Sequence, residues 1–219
     1  MRCTERPRGN VTPDADPDPI AVAVSFAGTL ERLGIPYLIG GSMASSVHGE
    51  PRSTNDIDIV ADLTAESLHI LLDAIRTDYY VSEDAAQGAV QAAERGEPGG
   101  SFNLIHIGGA IKVDLFVAGR DPFEAERLRS RQRIQVSPDS SASLFIDTAE
   151  HSLLRKLEWF RRGGEASDRQ WRDVVAIARI QGDRLDRARL ALWADRLGVS
   201  DLLVRLLAEV GDRRVLGDV

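Results

Sequence analysis

Cysteine is almost missing from this sequence. Cys3 stands alone among 219 residues. One thiol closes no intrachain disulfide and builds no metal cluster, so a reducing cytoplasm is the expected compartment. Long apolar runs are missing too. None approaches the ~18 residues of a membrane helix, so no membrane partner is expected. The N-terminus lacks a basic stretch followed by an apolar core, so no secretory signal is expected. Lysine is scarce: Lys112 and Lys156 stand against 25 arginines, an arginine bias that reads as genome composition. The histidines at 48, 69, 106 and 151 show no metal-ligand spacing and are read as structural. No internal repeat is evident.

What is present is an ordinary globular composition, 43% hydrophobic and 28% charged. At roughly 150 residues per domain the chain amounts to about one and a half domains. That is enough to bury a core without disulfides or structural metal. The net charge of −7 argues against a dedicated nucleic-acid coat protein. The charge is uneven: residues 151–219 hold 14 basic and 11 acidic residues, and residues 1–150 hold 13 and 23.

Residues 1–19, with four prolines and few apolar side chains, read as a disordered tail. Helical spacing runs from Ile20 to Leu33, then an apolar strand from Ile35 to Ile39. Gly40-Gly41-Ser42 breaks it, with Ser42 as the expected cap of a short helix through Val47. After a loop, Asp56 to Ala61 alternates as a half-buried strand does. A helix from Thr64 to about Arg76 and a strand over 79–82 come next. Residues 83–100 read as a helix and then a mobile loop, whose glycines would allow a lid but do not imply one. Phe102–Ile107 and Ile111–Val117 pair around Gly108-Gly109. A helix over 121–129 and short strands over 133–136 and 143–146 complete this part. Beyond Thr148 the pattern is helix only, over 148–162, 167–180, 184–197 and 200–210, with glycines between. The expected class is α/β (α+β): residues 20–147 form a mixed sheet with helices on one face, and residues 148–219 a helical bundle.

Asp56 and Asp58, at i and i+2 on a strand, share a face roughly 7 Å apart at the backbone. Like charges so placed repel, and a cation offsets the cost. Mg2+ prefers oxygen ligands and is held by carboxylates together with substrate phosphates. Asp114, between Val113 and Leu115, supplies a third carboxylate if its strand lies beside the first. Three carboxylates can hold two Mg2+ ions about 3.5–4 Å apart, a clamp for in-line displacement at phosphorus. Gly40-Gly41-Ser42 supplies the other half of a nucleotide site. Glycines admit phosphate close to the backbone, the next helix offers free N–H groups, and the Ser42 hydroxyl adds one bond.

The segment Gly40-Gly41-Ser42, Ala44, His48, Gly49, Arg52, Thr54 and Asp56-Ile57-Asp58 resembles the signature of the DNA polymerase beta-type nucleotidyltransferase superfamily. More narrowly it is similar to bacterial stand-alone members, including abortive-infection (AbiEii-like) toxins. The match is most specific over residues 37–62 and extends loosely through Asp114. Lys156, Trp159, Arg169, Gln170 and Asp173 resemble the C-terminal helices of some of these proteins. Many members carry serine before the first aspartate, where this chain has Asn55. The resemblance implies Mg2+-dependent transfer of a nucleoside monophosphate from a nucleoside triphosphate to an acceptor hydroxyl. It implies Asp56, Asp58 and Asp114 as metal ligands and Gly41 and Ser42 as phosphate binders. The acceptor is open among tRNA, a protein hydroxyl and a small molecule of aminoglycoside type. An antitoxin protein is the partner a toxin would have. The rival reading is a non-catalytic nucleotide-sensing or partner-binding module on the same fold.

Arg52 either contacts triphosphate or pairs with Asp56. Lys112 is either a counter-charge or a phosphate ligand, and Lys156 either reaches phosphate or lies on the surface. Trp159 and Trp171, on amphipathic helices, are expected in the core. Arg161, Arg162, Arg169 and Arg172 form either a face toward RNA phosphate or, with Glu158, Glu165 and Asp168 interleaved, the solvated mixed-charge face that is expected.

Overall fold

The computed structural model describes residues 18–97 and 100–211. The tail expected over 1–19 lies almost wholly outside the described residues. Helix α1 (Pro19–Arg32) opens where Asp18 accepts from the Ile20 amide and Pro19 sits in the first turn. Strand β1 (Tyr37–Ile39), helix α2 (Gly41–His48) and strand β2 (Asp56–Ala61) come after it. Pro36 has no N–H to give a ladder, and the strand expected from Ile35 starts only after it. Helix α3 (Ala65–Ile75) opens on a reciprocal Thr64–Ser67 capping box. Next come β3 (Tyr79–Val81), α4 (Glu83–Glu94), β4 (Ser101–His106) and β5 (Ile111–Val117). Helix α5 (Pro122–Ser130), strands β6 (Gln132–Gln135) and β7 (Ser143–Ile146), and helices α6 (Ala149–Arg162), α7 (Asp168–Gln181), α8 (Arg187–Arg196) and α9 (Ser200–Glu209) complete the described chain. The helix expected from 184 starts at Arg187, because Gly182–Arg184 forms a 3-10 turn and Asp186 caps α8.

The strands make one seven-stranded mixed sheet in the order β3-β4-β5-β2-β1-β7-β6. At its centre β2 and β5 run parallel, and β1 lies antiparallel to β2. The period of two sends Ile57, Ile59, Val113 and Leu115 to one face, where each is fully buried beneath α1, α3 and α4. The opposite face carries the aspartates. It also carries Leu38 and Val60, which are apolar and need a cover of their own. Leu128 of α5 provides it, together with Ala118. Helices therefore flank both faces rather than the single face expected.

A second core is wholly helical. It packs Leu153, Leu154, Leu157 and Phe160 of α6 against α7, α8 and α9, and draws in Phe123 from α5. This bundle grips α2 directly. The Gln181 amide donates to the His48 carbonyl at 2.7 Å, and the buried His48 ring bonds the Asp147 carbonyl at 2.6 Å. His48 is thus a structural tie, as its sequence context suggested. No helix among the described residues is long and apolar enough to cross a membrane.

Candidate active site

The parallel register of β2 and β5 sets Asp58 directly beside Asp114, and Asp56 beside Lys112. All four lie on the face away from Ile57 and Ile59. The Lys112 ammonium is 2.8 Å from one Asp114 oxygen and 3.9 Å from Asp56. Its bond to Asp114 raises the pKa of Lys112, so it stays charged as a counter-ion. Asp58 is less well served. Burial raises its pKa, the neighbouring Asp114 raises it further, and Lys156 only partly offsets the two.

The turn before α2 reaches over this pair. The Gly40 amide donates to the Asp58 carbonyl at 2.9 Å. Gly41 adopts φ +54°, and a Cβ there would lie 1.8 Å from an Asp58 carboxylate oxygen. Glycine is required at this position twice, by backbone conformation and by the carboxylate that fills the space of a side chain. Gly40, not Ser42, is the residue that precedes the helix, and no side chain caps α2. The Ser42 hydroxyl instead accepts from the Arg52 guanidinium. Its own proton stays available to an incoming acceptor such as a phosphate oxygen.

Arg52 does not pair with Asp56. It reaches Asp173 of α7 at 3.1 Å, and Lys156 of α6 reaches the same carboxylate oxygen at 2.7 Å. Burial raises the Asp173 pKa, but hydrogen bonds from Arg52 and Lys156 outweigh it and hold the group below its ordinary value. Burial depresses Lys156 more than Asp173 restores it. Lys156 is 12% exposed, so it is not a surface lysine.

These groups open onto a cavity of about 810 Å³. Gly40, Gly41, Ser42, Arg52, Asp58 and Lys156 line it, whereas Asp56, Lys112 and Asp114 do not. Behind Gly40 runs a buried ion-pair chain. Arg127 bonds both Asp147 oxygens at 3.1 Å and Glu124 at 2.6 Å, and Glu124 also binds Arg155. A Cβ on Gly40 would come within 3.1 Å of the Arg127 guanidinium. Trp171 joins the helical core as expected. Trp159 does not: it is 44% exposed and lines the cavity. Arg162 and Arg169 line it as well, so the arginine face is not simply solvated. Arg161 does sit on such a face, paired with Glu165 and Asp201.

Sequence reasoning assigned Asp173 and the Arg127–Asp147 pair no role. Asp173 stands one helical turn before the fully buried Ile177, and that i, i+4 spacing places an acid on the inward stripe of α7. The Arg127–Asp147 pair spans 20 residues with no local pattern to mark it.

Among the described residues no three carboxylate, histidine or cysteine groups already stand as a metal cage. The donor chemistry nonetheless suits a hard divalent cation. Asp58 and Asp114 stand side by side on adjacent strands, and the repulsion that helps raise the Asp58 pKa is one a cation would relieve.

No family model matches the sequence, and neither does any curated protein. Solved structures do. The antibiotic-resistance factor ANT(2'')-Ia is 14% identical, with a TM-score of 0.52 over 84% of this chain and 97% of that one. An antigenic nucleotidyltransferase-like protein from Paracoccidioides brasiliensis is 20% identical, with a TM-score of 0.47 over 71% and 73%. A CCA-adding enzyme solved with ATP is 14% identical, with a TM-score of 0.36 over 90% of this chain and 53% of that one. These are nucleotidyltransferase-fold proteins, and the ANT(2'')-Ia likeness gives this chain the same fold.

Proposed function

We propose that this chain is a Mg2+-dependent nucleotidyltransferase that moves a nucleoside monophosphate from a nucleoside triphosphate to an acceptor hydroxyl. One observation carries the reading: a half-buried carboxylate, Asp58, lies beside Asp114 and directly beneath the Gly41-Ser42 turn. An anion-binding turn and an acidic pair in contact are what a phosphoryl group and its counter-charge require together. A module that only bound nucleotide would have no use for the acidic pair, whose repulsion it would still bear.

In this mechanism the triphosphate lies along the start of α2, where backbone amides and the Ser42 hydroxyl donate to it. Arg52, bonded to Ser42, and Lys156, brought by α6, balance its charge. Mg2+ held by Asp56, Asp58 and Asp114 would neutralise charge at the α-phosphate and on the leaving group. The acceptor oxygen bonds to the α-phosphorus as the bond to the bridging oxygen breaks. Pyrophosphate leaves with the electron pair, and Asp114 takes the acceptor proton. Positioning and charge balance do the rest, with no histidine base.

The acceptor we favour is RNA, such as tRNA, because Arg120, Arg162 and Arg169 all open onto the cleft. The resemblance of residues 37–62 to abortive-infection toxins supports the same choice. On this reading the chain works in the cytoplasm, and an antitoxin protein restrains it. The test offers each α-labelled nucleoside triphosphate with Mg2+ to total RNA, protein and aminoglycosides in turn. Label is expected in RNA, and chelation should abolish it. Label in the aminoglycoside fraction would replace the acceptor, and label in no fraction would overturn the reading.

A further inference from the structure

The cleft continues past the phosphate-facing residues, and its far wall is built differently. On α6 the residues toward the cavity are Ser152, Arg155, Lys156, Trp159 and Arg162, a single arc of the helix. Trp159 is near the middle of that arc, one turn beyond Lys156, roughly 4.5 Å along the axis. An indole 44% exposed on a cavity wall offers an aromatic face where a packed core would hide it. The Arg162 guanidinium sits 5.6 Å from the ring centroid.

Facing it, α7 begins with Ser167-Asp168-Arg169-Gln170, the spacing of a capping box. Only half of the box forms. The Ser167 hydroxyl accepts from the Gln170 amide N–H at 3.3 Å. The Gln170 side-chain oxygen does not take the return bond. It is shielded from water and has no partner among the described residues, although Gln170 lines the cavity. A buried carboxamide oxygen without a donor carries a desolvation cost, which a ligand N–H removes once the carboxamide turns toward the cavity. Gln170 is one α7 turn from Asp173, as Trp159 is one α6 turn from Lys156. Both line the cavity, each one helical turn outward from the Lys156–Asp173 pair.

We propose that Trp159 and Gln170 form the nucleobase subsite of the donor nucleotide. Trp159 stacks on the base, and the Gln170 carboxamide bonds its edge, while the triphosphate occupies Ser42, Arg52 and Lys156. A base offers a flat π surface for the indole, which Arg162 already flanks, and a ring or exocyclic N–H for the Gln170 oxygen once the carboxamide turns to the cavity. The proposal rests on the nucleotidyltransferase reading and assigns which residues select the donor.

Calorimetric titration with Mg2+ tests it, using ATP, GTP, CTP, UTP, inorganic tripolyphosphate and total RNA as six separate probes. The wild type should bind at least one nucleotide more tightly than tripolyphosphate. Trp159→Ala should cut that preference about tenfold, the scale of one base–aromatic stack. Its tripolyphosphate affinity should stay within about twofold, since charge alone sets that term. Trp159→Phe should restore most of the preference, and Gln170→Ala should narrow the spread among the four bases. An unchanged preference in Trp159→Ala overturns the proposal, as does a wild type that does not distinguish nucleotides from tripolyphosphate. If Trp159→Ala weakens binding of RNA alone, the wall belongs to the acceptor and the proposal also fails. A wild type that binds neither tripolyphosphate nor any nucleotide overturns the nucleotidyltransferase reading itself.

Discussion

Replacing Gly41 by alanine would drive a methyl group into the Asp58 carboxylate and force a side chain into the left-handed region. The pair can separate only if the turn or the carboxylate moves, and both belong to the proposed reaction site. Gly41→Ala should therefore lower nucleotidyl transfer at least about a hundredfold, the scale of a 1 Å misplacement. Thermal unfolding should show only a modest loss, because the turn is a single position away from the main cores. Wild-type turnover in Gly41→Ala would refute the close approach. Asp173 makes a prediction in pH. Its folded pKa lies below the ordinary 3.8, so the stability it contributes is complete above that value and is lost as pH falls through the folded one. Asp173→Asn should be less stable than wild type by about 1–3 kcal/mol at pH 7, with the gap closing below pH 3.8. Urea unfolding at pH 7 and pH 3 measures this. A gap that stays constant would show that Asp173 gains nothing from its charge.

At the scale of elements, β2 and β5 were legible because alternation carries their whole meaning. Asp56-Ile57-Asp58-Ile59 and Lys112-Val113-Asp114-Leu115 each state which side faces the core, and the structure keeps both patterns. Their pairing was only conditional in the sequence, since register between strands 56 residues apart leaves no local trace. Trp159 departs from its expected place for a related reason. Helical periodicity puts it on the inner arc of α6, but periodicity cannot say whether that arc meets protein or a cleft. The tie between α5 and the β7–α6 junction was invisible altogether, being the Arg127–Asp147 pair, 3% and 1% exposed. Arg127→Met would leave Asp147 buried and alone, and should cost about 3–5 kcal/mol in urea unfolding. Arg127→Met/Asp147→Leu should recover more than half of that, because the uncompensated charge is then gone. A double variant as unstable as the single one would show that packing, not charge, holds this junction.

Across the whole molecule, the acidic first half and the mildly basic second half meet at one cleft. The sheet brings Asp58 to it, and the helical bundle brings Lys156, Arg162 and Arg169. Arg52, Arg120 and Arg127 from the first half and Asp173 from the second line it too, so both signs come from both sides of the place proposed for a triphosphate. Asp114 offers the most direct test of that account, because it stands beside Asp58 in register yet does not line the cavity. Label transfer and nucleotide binding should be measured together, on wild type and Asp114→Ala, with Mg2+ and an α-labelled nucleoside triphosphate. The account expects Asp114→Ala to lose transfer and to keep part of its nucleotide binding. Transfer by Asp114→Ala at the wild-type rate would contradict it.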